Sequence, residues 1–251
     1  MMLLRTIVWG LYFVGALIVL TPKMLRAKRL KEAGDEAGCR VIVDKYVRMW
    51  MSTLMRIAGC EVTVKGLENI PQDRAVVFTP NHQGDYDIPI MLVCLDKPHA
   101  FVAKIEVQKI PLVRTWMQLF DSVFLDRKNP RQAVGVMKEA AELLKQGKSV
   151  IVFPEGTRSK GEKMGEFKPG AFKMAFSAKA PIVPVAVDGS YKIMEANHNL
   201  MRPGHVNLTI LPPIETAGLD RAAQKALPEQ VARRIAEVKD AGKPQADEAQ
   251  A

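Results

Sequence analysis

Ala75-Val76-Val77-Phe78-Thr79-Pro80-Asn81-His82-Gln83-Gly84-Asp85-Tyr86-Asp87 is the stretch that decides the fold. Its first five residues carry no charge and are rich in β-branched and aromatic side chains, the composition of a short strand buried on both faces. Pro80 and Asn81 stop the strand, Gly84 permits a tight turn, and Ile88 to Leu95 reads as a helix. The same grammar returns at Ser149-Val-Ile-Val-Phe153, an apolar strand that ends at Pro154 and leads into Glu155-Gly156-Thr157-Arg158.

Working outward, Glu61 to Lys65 alternates like a strand and Gly66 ends it. His99 to Ala103, Ser122 to Leu125, Ile182 to Val187 and Val206 to Leu211 are further strands. Helical patterns fall between them: Val107 to Phe120, interrupted at Pro111; a helix capped by Asn129 with Pro130 in its first turn, closed by Gly147; Lys168 to Lys179; and Glu229 to Lys239. Strands alternating with helices predict an α/β fold: a mixed, largely parallel sheet flanked by helices. In such sheets ligands bind outside the carboxyl ends of the strands, where both quoted turns lie.

The first 57 residues have a different texture. Thr6 to Leu20 is uncharged and almost wholly apolar. As a helix it is about 22 Å long, short of a hydrocarbon core of about 30 Å. Pro22 punctuates it, and Lys23, Arg26, Lys28, Arg29 and Lys31 follow as a basic cluster suited to the cytoplasmic side. A helix dipping into one leaflet is the favoured reading, ahead of a tilted span, a signal peptide or a core helix. Asp35 to Ile57 is a further helix, either packed on the core or the second arm of a membrane anchor. The expected organisation is an N-terminal helical membrane-anchoring segment over 1–57, an α/β domain over 58–240 and a polar, disordered tail over 241–251.

Composition narrows the partners. The chain has 251 residues, 48% of them hydrophobic and 25% charged, enough for one core without staples. A formal net charge of +9 favours anionic partners. An aromatic content of 6% and the lack of zinc-finger or RNA-binding signatures argue against nucleic acid. Three cysteines, Cys39, Cys60 and Cys94, with no CxxC pair, suit buried free thiols better than disulfides or zinc.

His82 and Asp87 pair an imidazole with a carboxylate. Five residues along a regular helix turn through about 500°, which leaves the two about 140° apart around the axis. They meet only if His82 stands on a loop and Asp87 opens the helix. A carboxylate on one ring nitrogen fixes the tautomer and leaves the other nitrogen to accept a proton. Helix capping by Asp85 or Asp87 beside an inert loop histidine is the plainer alternative, and a metal site of His82, Asp85 and Asp87 is a third. His99, His198 and His205 have no acidic partner at a telling spacing. Glu155 to Arg158 offers backbone N–H groups, a glycine and a phosphate-matched fork, or merely a solvated turn with an Arg–Glu pair. Lys104 and Arg127 also follow strands, so three cations at three strand ends would converge on one crevice. No P-loop and no G-x-S-x-G elbow occurs, which favours direct attack by a substrate oxygen over an acyl-enzyme.

These blocks resemble those of the glycerolipid acyltransferases, in order and spacing, over about half of the chain. Asn81-His82-Gln-Gly-Asp-Tyr-Asp87 is similar to their NHx4D block. Phe124-Leu-Asp-Arg127, Phe153-Pro-Glu-Gly-Thr-Arg158 and Ile182-Val-Pro184-Val185 are similar to the next three. The resemblance is strongest to bacterial enzymes that acylate 1-acyl-sn-glycerol 3-phosphate. It implies that His82 is the general base, with Asp87 orienting it. Glu155, Gly156, Thr157, Arg158, Arg127 and Lys104 would hold the substrate phosphate, and Asn81, Phe124, Pro154 and Pro184 would shape the acyl or acceptor pocket. The donor would be acyl-CoA or acyl-carrier protein as co-substrate, with no cofactor and no metal. The setting would be a phospholipid leaflet at the cytoplasmic face of the membrane. Alternatives are another lyso-lipid acceptor, a hydrolase using His82-activated water, or a non-catalytic protein that binds anionic lipid.

Overall fold

The computed structural model describes residues 1–95, 97 and 99–241. Seven strands form one sheet: β1 (Cys60–Lys65), β2 (Val77–Pro80), β3 (His99–Lys104), β4 (Val123–Leu125), β5 (Ser149–Ile151), β6 (Ile182–Asp188) and β7 (Gly204–Ile210). Their order across the sheet is β1-β7-β6-β2-β5-β3-β4. Among the pairs of these seven strands in the described residues, β6–β7 alone is antiparallel. Strands β6, β2, β5, β3 and β4 run side by side in one direction, so their carboxyl ends share one edge. The mixed, largely parallel sheet is therefore as the sequence implied.

Alternation along β2 builds the two faces. Val77 packs with α6 (Pro130–Lys145), α7 (Lys173–Ala178) and α8 (Arg221–Ala241). Val76 and Phe78 point the other way, against α4 (Asp87–Cys94) and the end of α3 (Glu36–Ala58). A third cluster joins α1 (Met2–Val19), α2 (Thr21–Glu32) and α3 to α5 (Pro111–Leu119) through Leu17, Leu20, Val43, Trp50, Trp116 and Phe120.

Asp35 caps α3, its carboxylate accepting the Gly38 N–H at 2.8 Å. Eight buried residues along α3, among them Val43, Val47, Trp50 and Leu54, make it a core-packing helix rather than a free membrane arm. Two helical boundaries differ from the sequence reading. Pro22 does not end the helical run: it sits in the first turn of α2, where its missing N–H costs nothing, and the Lys/Arg-rich stretch behind it is a good helix former. The last helix starts at Arg221, with Pro228 inside it and buried beside Leu227, because the alanine-rich turn ahead of the proline is itself helical. The expected polar tail lies, from residue 242 on, outside the described residues.

Candidate active site

The five strands that run in one direction share one edge, and the end of β2, fourth of seven across the whole sheet, lies on it. After Pro80 the chain turns through residues 81–86 and enters α4 at Asp87. The break in helical geometry between His82 and Asp87 is thus present. The two side chains meet, His82 Nδ1 lying 2.7 Å from Asp87 Oδ2. Asp87 is fully buried and the His82 side chain is 13% exposed. With Nδ1–H donated to the carboxylate, Nε2 is the basic nitrogen. Among the described residues, Nε2 has no hydrogen-bond partner.

The dyad is held from several sides. Asp87 Oδ2 also accepts the Gly84 N–H at 3.0 Å, and Oδ1 accepts from Ser190 Oγ. The imidazole stacks on Phe153, with centroids 4.0 Å apart. The His82 N–H donates to Glu155 Oε1 at 2.6 Å, and the His82 carbonyl accepts the Ser159 N–H at 2.7 Å. The two quoted sequence stretches therefore grip each other through backbone groups. Gly84 earns its place by space rather than by an unusual φ. A Cβ there would stand 2.5 Å from Glu195 Oε2.

The predicted phosphate-binding residues separate into groups. Gly156 takes a left-handed φ of 71° in the turn after Phe153, with Thr157 exposed beside it. Arg158 lies over the His82–Asp87 turn, its Nη1 2.5 Å from Asp85 Oδ2 and 3.2 Å from Glu195 Oε1. Asp85 is thus turned to Arg158 instead of forming a metal cluster with His82 and Asp87. Glu155 is a correction. Its carboxylate is buried and accepts two backbone N–H groups, those of His82 and Gly165. Burial pushes its carboxyl above the usual range, against the pull of those donors. A buried carboxylate so engaged would repel a phosphate, and it serves as a pin beneath His82.

Lys104 is the last residue of β3, and Arg127 lies two residues past the end of β4; the two strands are two and three places away from β2. At about 4.8 Å per strand those strand ends stand about 10 and 14 Å along the edge. They share the crevice edge with Arg158 but not its contacts, since Lys104 pairs with Glu106 at 3.2 Å. Phe124 is half-buried on β4, the edge strand, while Pro154 and Pro184 are buried. Pro184 is level with Thr79 in the β2–β6 ladder, just short of the catalytic turn. Asn81 is a second correction. Both ends of its amide are engaged by the Val187 backbone, at 2.9 and 2.7 Å, so the fully buried side chain ties the end of β2 to β6.

Sequence reasoning missed Ser190, Glu195, Gln83 and Lys168. Gln83 Oε1 accepts the Gly189 N–H at 2.8 Å, and the Lys168 Nζ stands 3.2 Å from where a Gly156 Cβ would lie. The strand at Ile182 signalled that β6 would reach this edge, but nothing local marks the side chains beyond it. His99 is at the opposite end of β3, buried and pushed down to about 4 by desolvation, so it stays neutral and plays no part here.

Removing the Ser190 hydroxyl strands Asp87 Oδ1 in a fully buried position. Ser190→Ala is expected to lower kcat about tenfold or more, with the acceptor KM within about twofold, in line with the 1–3 kcal/mol cost of an unmet buried acceptor. Ser190→Thr restores the hydroxyl and most of the rate. Steady-state kinetics on the three proteins decides this, and an unchanged kcat in Ser190→Ala would refute the support role.

Comparison with known proteins gives the family. A family model described as Acyltransferase matches residues 61–188, which include His82, Asp87 and the Phe153–Arg158 stretch. A Mycoplasma pneumoniae protein described as a probable 1-acyl-sn-glycerol-3-phosphate acyltransferase is 34% identical over 190 residues, covering 74% of this chain and 70% of that protein. The human 1-acyl-sn-glycerol-3-phosphate acyltransferase alpha is 32% identical over 188 residues, covering 74% and 66%. The chloroplast enzyme LPAT1 of Arabidopsis thaliana is 37% identical over 168 residues, 66% of this chain and 47% of the plant protein. The crystal structure of PlsC from Thermotoga maritima, a 1-acyl-sn-glycerophosphate acyltransferase, superposes with a TM-score of 0.79 at 31% identity, covering 98% of this chain and all of that one. With half of its length inside the matched region and a fold shared over 98% of its length, the chain belongs to the acyltransferase family.

Proposed function

We propose that this chain is an O-acyltransferase that moves an acyl group from a thioester to the sn-2 hydroxyl of 1-acyl-sn-glycerol 3-phosphate, giving phosphatidate. The observation that carries the reading is the His82–Asp87 pair, 2.7 Å apart, with Nε2 unpartnered among the described residues and Arg158 beside Asp85 of the same turn. His82 Nε2 takes the hydroxyl proton as the oxygen attacks the thioester carbonyl. Asp87 supports the imidazolium that forms. When the tetrahedral intermediate collapses, the C–S bond breaks and the thiol leaves with the proton held on His82. No side-chain nucleophile is required. Arg158 reads the acceptor phosphate, and Lys104 and Arg127, farther along the edge, meet phosphate groups of acceptor or donor.

The setting is a membrane leaflet at its cytoplasmic face. Among the described residues one helix, Met2–Val19, is long and apolar enough to cross a membrane. Its two sides differ. Trp9, Phe13 and Leu17 face the protein, the Phe13 ring tilted against Trp50 with centroids 5.1 Å apart. Leu4, Ile7, Leu11, Val14 and Ile18 form an exposed stripe at helical spacing. A helix whose Arg5 and Thr6 are turned to the protein, and whose other side is a bare apolar stripe, suits the hydrocarbon margin of one leaflet better than water. The basic α2 behind it suits anionic headgroups.

The test is acyl transfer to lysophosphatidate from acyl-CoA and from acyl-carrier protein, with Arg158→Ala alongside. Losing a charge-assisted contact costs about 1.5–3 kcal/mol, so kcat/KM for the acceptor should fall about tenfold to a hundredfold while the donor KM holds. Release of free fatty acid without transfer would favour a hydrolase, and an effect confined to the donor would misplace Arg158.

A further inference from the structure

We infer that Glu195 and Asp85 share the management of Arg158: Glu195 is a fixed positioning residue for the guanidinium and the catalytic turn, and Asp85 fills, in the free protein, the place that a substrate phosphate takes. The inference rests on the reading of Arg158 as the phosphate-binding residue.

The two carboxylates meet the same Arg158 nitrogen from different surroundings. The Glu195 side chain, on a single 3-10 turn after β6, is 2% exposed, whereas that of Asp85 is 60% exposed. Glu195 Oε1 accepts both Arg158 Nη1 at 3.2 Å and the Asp85 N–H at 2.7 Å. One buried oxygen therefore fixes the cation and the backbone of the His82–Asp87 turn together. The turn accommodates it closely, since Gly84 leaves no room for a side chain next to Glu195 Oε2. That Oε2 is buried without a hydrogen-bond partner among the described residues. Burial pushes the Glu195 carboxyl upward, against the pull of the Asp85 N–H and Arg158.

Two carboxylates already occupy the same guanidinium nitrogen, so a phosphate oxygen reaches it only if one of them yields. Glu195 has nowhere to go. Asp85 turns into water by side-chain rotation alone, and its oxygen vacates a position already at contact distance from Nη1. Among the described residues, Arg158 Nε and Nη2 have no partner, so the fork is open for a second phosphate oxygen. The exchange keeps the cation paired throughout. It favours phosphate-bearing acceptors, because a neutral glycerol headgroup offers Arg158 nothing in return for Asp85.

The experiment uses the full-length protein in detergent, with glycerol 3-phosphate as a competitive inhibitor against lysophosphatidate. Asp85→Asn removes the internal competitor and should tighten the glycerol 3-phosphate Ki about two- to fivefold, the range of an exposed ion pair. Asp85→Glu should return it toward the parent value. Glu195→Ala releases Arg158 and strands the Asp85 N–H, so Ki should weaken about tenfold and kcat should fall. Glu195→Gln keeps an acceptor oxygen in place and should recover both, which a packing role alone would not predict for Ki. An Asp85→Asn protein with unchanged or weaker Ki overturns the competitor, and a Glu195→Ala protein with unchanged Ki overturns the positioning role. Arg158→Ala separates the levels: if it too leaves Ki unchanged, the phosphate reading itself fails, whereas a large loss there with no Asp85 effect sinks this inference alone.

Discussion

His82→Ala is expected to lower acyl transfer by about a thousandfold or more while leaving the protein folded and membrane-bound. An aliphatic hydroxyl gives up its proton too reluctantly at neutral pH to attack a thioester unaided, and a positioned base contributes about 10²–10⁴-fold. Here the base also carries the proton to the leaving thiol, so its loss affects both halves of the step. Asp87 does not substitute for it, because that carboxylate is fully buried and engaged by Gly84 and Ser190. The fold should survive, since the ties that hold position 82 run through its backbone, to Glu155 and Ser159. The imidazole's own packing is one face on Phe153. The measurement is transfer from labelled acyl-CoA to lysophosphatidate, with melting temperature and vesicle co-sedimentation as controls. Free imidazole should restore part of the rate by filling the space left over Phe153. Transfer within tenfold of the parent protein would remove His82 from the mechanism.

The centre of this site was legible because it is local. Strand, turn and helix start lie within thirteen consecutive residues, and helical arithmetic alone required a break between His82 and Asp87. The Phe153–Arg158 stretch was legible for the same reason. What stayed hidden is carried by contacts over more than a hundred residues of sequence. Ser190 reaches Asp87 and Glu195 reaches Asp85 because β6 lies beside β2, and that adjacency is a property of strand order, not of any local pattern. The two corrected roles have a common origin. Asn81 and Glu155 look like substrate contacts because they flank the reacting groups. Their buried polar atoms, however, are spent on the backbone of Val187, His82 and Gly165, as burial demands of polar groups with no water to turn to. Alternation in a strand tells which side chains are inside but not whether the interior is core or crevice. The helix α2 was missed because a proline was read as a stop where it serves equally well as a start.

Replacing Leu4, Leu11 and Ile18 with aspartate should abolish vesicle binding while leaving a folded protein. Deleting the helix would not be a clean test of anchoring. Arg5 bonds the Ile57 carbonyl at 3.1 Å, Thr6 Oγ1 accepts the Met201 N–H at 2.8 Å, and Leu17 and Leu20 belong to a core shared with Trp116 and Phe120. The three chosen side chains are 67%, 70% and 63% exposed and lie on the opposite side of the helix. Each contributes about 1.5–3 kcal/mol when moved from water into hydrocarbon. An aspartate in its place adds a penalty of about 2.5–3.5 kcal/mol at full membrane depth and less near the surface. Even half of that sum exceeds the 4.1 kcal/mol that separates micromolar from millimolar association. The melting temperature should hold within a few degrees, because the aspartates point where water already reaches. Transfer to lysophosphatidate dispersed in detergent should persist, and transfer to the same lipid in vesicles should collapse. Undiminished vesicle binding would mean that the bare stripe of α1 meets something other than the leaflet. Loss of activity in detergent as well would mean that α1, through Trp9 and its tilted contact with Tyr86 at 6.4 Å, acts on the catalytic turn directly.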